Sequence, residues 1–356
     1  MSDNVEGQGA VPPSNCAPKR LYQRWLAAHP PVLAFRRRGA RSTDEWQAEL
    51  RQKLIECLGE VPQPEPLDAR KLEESDQGDH LRQKWVVRTE ADFWLPFYVL
   101  LPKGLESSVP AVIALHGHGP GKSRPVGIAD TPAEVEKVFG GERDYGLQAV
   151  REGYVTLCPE LRGFGECVDE DHRDVNYNES CRCSAGRSIM LGRTLLGERV
   201  WDVRRVIDYL YTRPDVDAER IACIGHSGGA TVALFAAAVE PRISVAVVSC
   251  YFCAWERSIY ATYHCPCNYV PNLARFADCG DIGGLVSPRP QLFLAGQHDH
   301  IFPVDGVYAA YETVQDIYRS LNVEDRLELY VGPEGHRFYK QPVWPFLARW
   351  LRRRTL

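Results

Sequence analysis

An apolar run, Ile221-Ala222-Cys223-Ile224, leads directly into Gly225-His226-Ser227-Gly228-Gly229, and a small-residue stretch begins at Ala230. Few patterns restrict a fold as strongly. A G-x-S-x-G pentapeptide between a buried strand and a helix forces a sharp turn with the serine at its tip. Side chains at Gly225 and Gly229 would collide with neighbouring backbone. The turn also sets Ser227 at a helix N-terminus, where the dipole favours developing negative charge.

The flanking texture agrees with such a turn. Trp85–Arg88 and Pro96–Leu101 read as antiparallel strands. Ala111–Leu115, Tyr154–Cys158, Ile221–Ile224, Val245–Ser249, Gln291–Ala295 and Leu327–Val331 follow, several of them continuous apolar runs expected of strands buried on both faces. Helical patterns lie between them. The clearest sets Leu196, Val200, Val203, Ile207 and Leu210 on one face and stops before Pro214. Others run from Ala230 to Val239, Val304 to Arg319 and Trp344 to Leu351. This alternation predicts an α/β fold: a mostly parallel sheet with helices on both faces.

Residues 1–18, polar and rich in Gly and Pro, are expected to be disordered, and 19–83 to form an N-terminal helical extension. Leu21 and Trp25, then Trp46, Leu50, Leu54 and Leu58, recur at helical spacing before Pro62, Pro64 and Pro66 break the chain. A catalytic domain is then expected over 84–356, interrupted by insertions at 163–193 and 251–280. The second is aromatic and reads either as a substrate-covering lid, with Tyr251, Phe252 and Trp255 as contacts, or as a packed structural excursion.

A serine hydroxyl is a weak nucleophile and needs a base. On such folds the order along the chain is serine, acid, histidine. Asp299 lies in Gly296-Gln297-His298-Asp299-His300, just past one strand, and His336 closes Gly332-Pro333-Glu334-Gly335-His336, just past the last. His298 and His300 flank the acid and cannot take the middle position. Asp305 falls within the next helix, and Glu334 is too close to His336. An oxyanion hole needs two N–H donors. Gly228 supplies one; His118, in His116-Gly117-His118-Gly119, is the candidate for the other, and His116 reads as a structural hydrogen-bonding residue.

With these residues assembled, the chain resembles the α/β-hydrolase superfamily, in particular its dienelactone-hydrolase-like and acetyl-xylan-esterase-like members. The resemblance runs from about Gln47 onward. It rests on His116–Gly119, Pro159–Gly165, Gly225–Gly229, His264–Tyr269, Pro288–Pro290, Gly296–Pro303 and Gly335-His336. Relatives usually carry aspartate where this chain has Glu160, a structural change near the site. The resemblance implies a serine hydrolase acting on a small carboxylic ester, with a short acyl group or an acetylated carbohydrate. An amide, thioester, lactone or carbon–carbon bond, or acyl transfer, would use the same residues. A non-catalytic binding protein on this fold would usually have lost one of the three.

The remaining features narrow the partners. Net charge is −5 and the Arg36–Arg38 and Arg352–Arg354 runs are short, so no nucleic-acid partner is expected. No apolar stretch suits a leader or a membrane span, which makes the cytoplasm the default location and a small-molecule ester the expected partner; oligomeric state is not legible. Twelve cysteines read first as reduced, buried thiols. Of the close pairs Cys181/Cys183, Cys250/Cys253 and Cys265/Cys267, only the second has zinc-knuckle spacing, and it spans a strand end, so neither metal nor cofactor is expected.

Overall fold

The structure, a computed structural model, describes residues 18–172 and 177–352. The expectation of disorder over 1–18 therefore lies, but for Pro18, outside the described residues. The strands are β1 (Arg70–Asp76), β2 (His80–Glu90), β3 (Phe93–Pro102), β4 (Val109–Leu115), β5 (Val155–Pro159), β6 (Val216–His226), β7 (Val245–Ser249), β8 (Gln291–Gly296) and β9 (Leu327–Gly332). They form one sheet in the order β1-β2-β3-β5-β4-β6-β7-β8-β9. Pairings from β1 through β3 to β5 are antiparallel, and all others are parallel.

The helices are α1 (Pro18–Ala28), α2 (Thr43–Leu58), α3 (Pro132–Val135), α4 (Tyr145–Arg151), α5 (Tyr177–Met190), α6 (Leu195–Leu210), α7 (Gly228–Val239), α8 (Cys279–Gly284), α9 (Val304–Ser320) and α10 (Val343–Leu351). Strand residues alternate between two apolar layers, as the pleat requires. Ile113, Cys223, Val248 and Phe293 face the layer of α2, α6, α7, α8 and α9. Val112, Ala222, Val247 and Leu292 face α4 and α10. This is the α/β-hydrolase fold that the resemblance implies.

The helical extension ends sooner than expected. Two helices do form, and α2 is closed at its N-terminus by a capping box between Ser42 and Glu45. But β1 and the start of β2 occupy residues assigned to that extension, so the sheet begins at Arg70 rather than at Lys84. The cause is plain in Arg-Lys-Leu-Glu-Glu-Ser-Asp: every residue of β1 is exposed, and the strand is held by its backbone ladder to β2. A charged edge strand resists further pairing and carries no apolar alternation to betray it.

The segment before the sheet packs onto it. Trp46, Leu50 and Leu54 are fully buried in the larger layer, and Trp46 Nε1 donates to the Leu33 carbonyl at 2.7 Å. The Gln47 amide donates to the carbonyls of Gly284 and Ser287, fastening α2 to the chain before β8. We expect Trp46→Ala to cost about 3–5 kcal/mol through the cavity and the lost hydrogen bond. Urea unfolding followed by far-ultraviolet circular dichroism measures this; an unchanged midpoint would mean that the N-terminal helices contribute nothing to the core.

Candidate active site

All the candidate residues sit at the carboxyl edge of the parallel strands, the edge where open α/β sheets bind ligands. Strand β6 ends at His226 and α7 begins at Gly228, leaving Ser227 as the sole residue of the turn. It takes φ 56° and ψ −123°, a conformation that costs a non-glycine residue free energy and is held by its surroundings. Those surroundings are backbone. A Cβ on Gly225 would lie 2.1 Å from the Gly229 carbonyl oxygen, and one on Gly229 would lie 2.0 Å from the Leu115 oxygen. Strand β4 thus presses directly on the turn.

The chain after β4 crosses the turn equally closely. A Cβ on Gly117 would meet the His226 oxygen at 2.8 Å and Ser227 Cβ at 3.1 Å. His118 stands over Gly228, with its Nδ1 2.7 Å from where a Cβ on that glycine would sit. The N–H groups of His118 and Gly228 have no backbone acceptor among the described residues.

Asp299 and His336 are brought together. His336 Nδ1 lies 2.7 Å from Asp299 Oδ2, while Asp299 Oδ1 accepts the N–H groups of Ile301 and Phe302 at 2.8 and 3.2 Å. Burial pushes the Asp299 carboxyl up, but His336 and these amides outweigh it and hold the group below its usual range. No hydrogen bond joins Ser227 to His336 among the described residues. Both side chains line one cavity of about 220 Å³, together with His226, Arg143 and Tyr145. Bonds of this kind often tighten only around a substrate.

The rival residues stand apart. Asp305 is exposed beside Arg257, and Glu334 pairs with Arg337 at 2.7 Å. His226 packs on His336 with ring centroids 4.9 Å apart and meets Ser249 Oγ at 3.0 Å. Burial, then the neighbouring His336 and arginines, push its imidazole well below the ordinary range and keep it neutral.

A second cavity, of about 400 Å³, opens on the other side of Ser227 and Gly228. Its wall corrects the expected ligand contacts. Tyr251, Phe252 and Trp255 do not line it: they are 2%, 2% and 9% exposed and belong to the core. Phe252 stacks on Phe293 at 3.7 Å between centroids, and Tyr251 meets Phe302 edge-on. The chain turns inward directly after β7, with Cys250 at φ 52°, and packs its first aromatic residues beneath the surface. Only further along, at Tyr263, His264, Cys265 and Asn268, does it return over Ser227; Asn178, Glu179 and Arg182 of α5 complete the wall. The alternation of aromatic and polar residues in this segment gave no sign of where the excursion reverses.

Glu160 knots the loops behind the site. Its carboxylate accepts the N–H groups of Lys122 and Glu166 at 3.0 and 3.2 Å, and lies 2.9 Å from His116 Nε2 and 3.2 Å from Lys122 Nζ. His116 is thus a structural link, with Nδ1 2.8 Å from the Gly117 oxygen. Arg162 forms a two-point pair with Asp202, both bonds 2.7 Å, and meets Glu90 at 2.6 Å, joining β2, the loop after β5 and α6. One further group went unforeseen: His118, Cys181, Cys265 and Cys267 bring their ligating atoms within 4.8 Å of one another.

Comparison with known proteins places this geometry. A model described as "Abhydrolase family" matches residues 17–324. A Bacillus subtilis (strain 168) protein named "Putative hydrolase YtaP" is 27% identical over 322 residues, 86% of this chain and 100% of that one. Among solved structures, a "putative acetyl xylan esterase" from Bacteroides fragilis NCTC 9343 superposes with TM-score 0.77 at 18% identity, covering 94% of this chain and 95% of its own. A glucuronoyl esterase from Solibacter usitatus gives TM-score 0.65 at 16% identity, over 90% and 96%. At these identities the two structures share the fold with this chain.

The Glu160 knot generates a stability expectation. Burial alone would push its carboxyl up, yet His116, Lys122 and the Glu166 amide hold it below the usual range. Its folded pKa is thus lower than its unfolded value, near 4.3, so this contribution is complete above that pH and is lost as pH falls through the folded value. Glu160→Gln removes one of the two carboxylates that pair with the buried Lys122 ammonium, Glu166 being the other, and should cost about 2 kcal/mol at pH 7 and flatten the acid limb of stability against pH. Guanidinium unfolding at a series of pH values tests it; a neutral substitution would remove Glu160 as the tie between these loops.

Proposed function

We propose, for a chain that belongs to the Abhydrolase family, serine-dependent hydrolysis of a small carboxylic ester through an acyl-serine intermediate. The observation that carries this reading is the convergence on one cavity of Ser227, in its strained turn, and a His336 imidazole already bonded to Asp299. His336 takes the proton from Ser227 Oγ as the hydroxyl attacks the ester carbonyl. Asp299 fixes the imidazole tautomer, with Nδ1–H toward the carboxylate and Nε2 free to accept, and stabilises the imidazolium. The tetrahedral oxyanion is met by the N–H groups of His118 and Gly228, the latter at the N-terminus of α7. His336 then protonates the departing alcohol, and water repeats the sequence on the acyl-serine.

The substrate class follows from the larger cavity and the relatives. Asn178, Glu179 and Arg182 give its wall polar groups and Tyr263 and Phe302 give it aromatic ones, suited to a hydroxylated ester such as an acetylated carbohydrate. The named activities of the structural neighbours, acetyl xylan and glucuronoyl ester cleavage, support the same class. A short acyl group fits the smaller cavity of about 220 Å³.

Ser227→Ala should lower kcat on p-nitrophenyl acetate by roughly 10⁴-fold or more with the fold intact, and Asp299→Asn by a similar order, because the wrong tautomer is then favoured. Near-normal turnover by the serine variant would end the assignment. Tyr263→Ala separates the substrate class from the chemistry. On an acetylated xylo-oligosaccharide it should raise KM by about 10-fold, through loss of a stacking face, while p-nitrophenyl acetate kinetics stay unchanged. Equal effects on both esters would count against carbohydrate recognition at this wall.

A further inference from the structure

The cysteine–histidine group beside the cleft is assembled from three distant segments: His118 after β4, Cys181 on α5, and Cys265 and Cys267 after β7. Cys267 Sγ lies 3.4 Å from His118 Nε2, Cys181 Sγ lies 4.0 Å from the same nitrogen, and Cys181 and Cys265 sulfurs are 3.5 Å apart. A tetrahedral ion with bonds of about 2.3 Å to sulfur and about 2.0 Å to nitrogen needs edges of roughly 3.8 Å between sulfurs and 3.5 Å between sulfur and nitrogen. The four atoms already approach that figure. The sulfurs are too far apart for a disulfide, whose bond is about 2.05 Å, and all four donors are of the kind that soft divalent ions select.

A second observation points the same way. Arg199 is 2% exposed, and its guanidinium donates to Cys181 Sγ at 3.2 Å and to the Arg162 carbonyl. No carboxylate pairs with it among the described residues. A buried guanidinium needs a compensating anion. Three thiolates and a neutral imidazole around a divalent ion carry one net negative charge, which is the complement Arg199 lacks. Asn268 Nδ2, 3.7 Å from Cys267 Sγ, adds an outer donor.

We propose that His118, Cys181, Cys265 and Cys267 bind one zinc ion in a closed, four-coordinate site. With no open position, the ion takes no part in bond cleavage; it staples the loop after β4, helix α5 and the returning segment after β7 into one wall of the cleft. His118 uses Nε2 for the ion, which leaves its main-chain N–H beside Gly228. The site stands whether or not Ser227 is a nucleophile, because none of its ligands belongs to the Ser227, Asp299 and His336 set.

The test uses the full chain without a histidine tag, purified under reducing conditions without chelator. Elemental analysis should find about one zinc per chain. Protein stripped by chelator and refilled with Co²⁺ should show the intense visible bands of a tetrahedral site and thiolate-to-cobalt charge transfer. The double substitution Cys265→Ser with Cys267→Ser should abolish both signals, while Cys183→Ser, two residues from Cys181 but outside the group, and Ser227→Ala should keep them. Substoichiometric metal with no cobalt–thiolate absorption would overturn the proposal, as would full metal retention by the double variant. If that variant does not fold, X-ray absorption of the zinc-loaded wild-type chain decides: three sulfurs and one nitrogen uphold the site, and a shell of nitrogen and oxygen alone removes it.

Discussion

Backbone packed on backbone at the crossing of β4, β6 and α7 is the constraint from which the rest of the site follows. Among the described residues no side-chain capping bond fixes the unusual dihedral angles of Ser227; the strand before it and the helix after it do so. That arrangement exists only because Gly225 and Gly229 let the Leu115 carbonyl and the helix's first turn approach to distances no Cβ would tolerate. Once β4 lies that close, the chain leaving it must pass directly over Gly228, and His118 is delivered to the same point. One close approach thereby fixes both the hydroxyl and the amides next to it.

Charge buried behind the sheet edge keeps these loops in place. Glu160 draws together the chains after β4 and β5, and Arg162 ties the latter to β2 and α6. Such ions are weak sources of net stability, since desolvation consumes most of their attraction. Their partners are nevertheless specific: a displaced loop would leave a buried charge without its complement. Here they act chiefly as registration devices for backbone that no regular ladder holds.

The fold was legible wherever a residue's neighbours in sequence share its environment. Strands buried on both faces, such as Val245–Ser249 and Gln291–Gly296, advertise themselves as apolar runs, and α6 by its helical period. Asp299 and His336 could be nominated, and are found in contact, because a strand end fixes where the following residues must lie. Strand β1 was hidden because all its residues are exposed and nearly all are charged or polar, so that it carries no apolar alternation. Tyr251, Phe252 and Trp255 were misplaced because aromatic composition is the same for a buried excursion as for a cleft wall. The Cys181, Cys265 and Cys267 cluster escaped for another reason. Its members meet only in space, from two segments with His118 supplied by a third, and neither Cys181/Cys183 nor Cys265/Cys267 has the local interval that marks a knuckle.

The two cavities meeting at Ser227 differ in parentage. The smaller is walled from the sheet-and-helix frame itself, through Gly117 after β4, Tyr145 of α4 and His336 after β9. The larger is walled by inserted segments, through Asn178, Arg182 and Tyr263, which lie outside the minimal sheet-and-helix frame. Divergence can therefore act on them separately: exchange of the inserted segments would rewrite what is recognised on one flank of the serine while its other flank passes unaltered from ancestor to descendant.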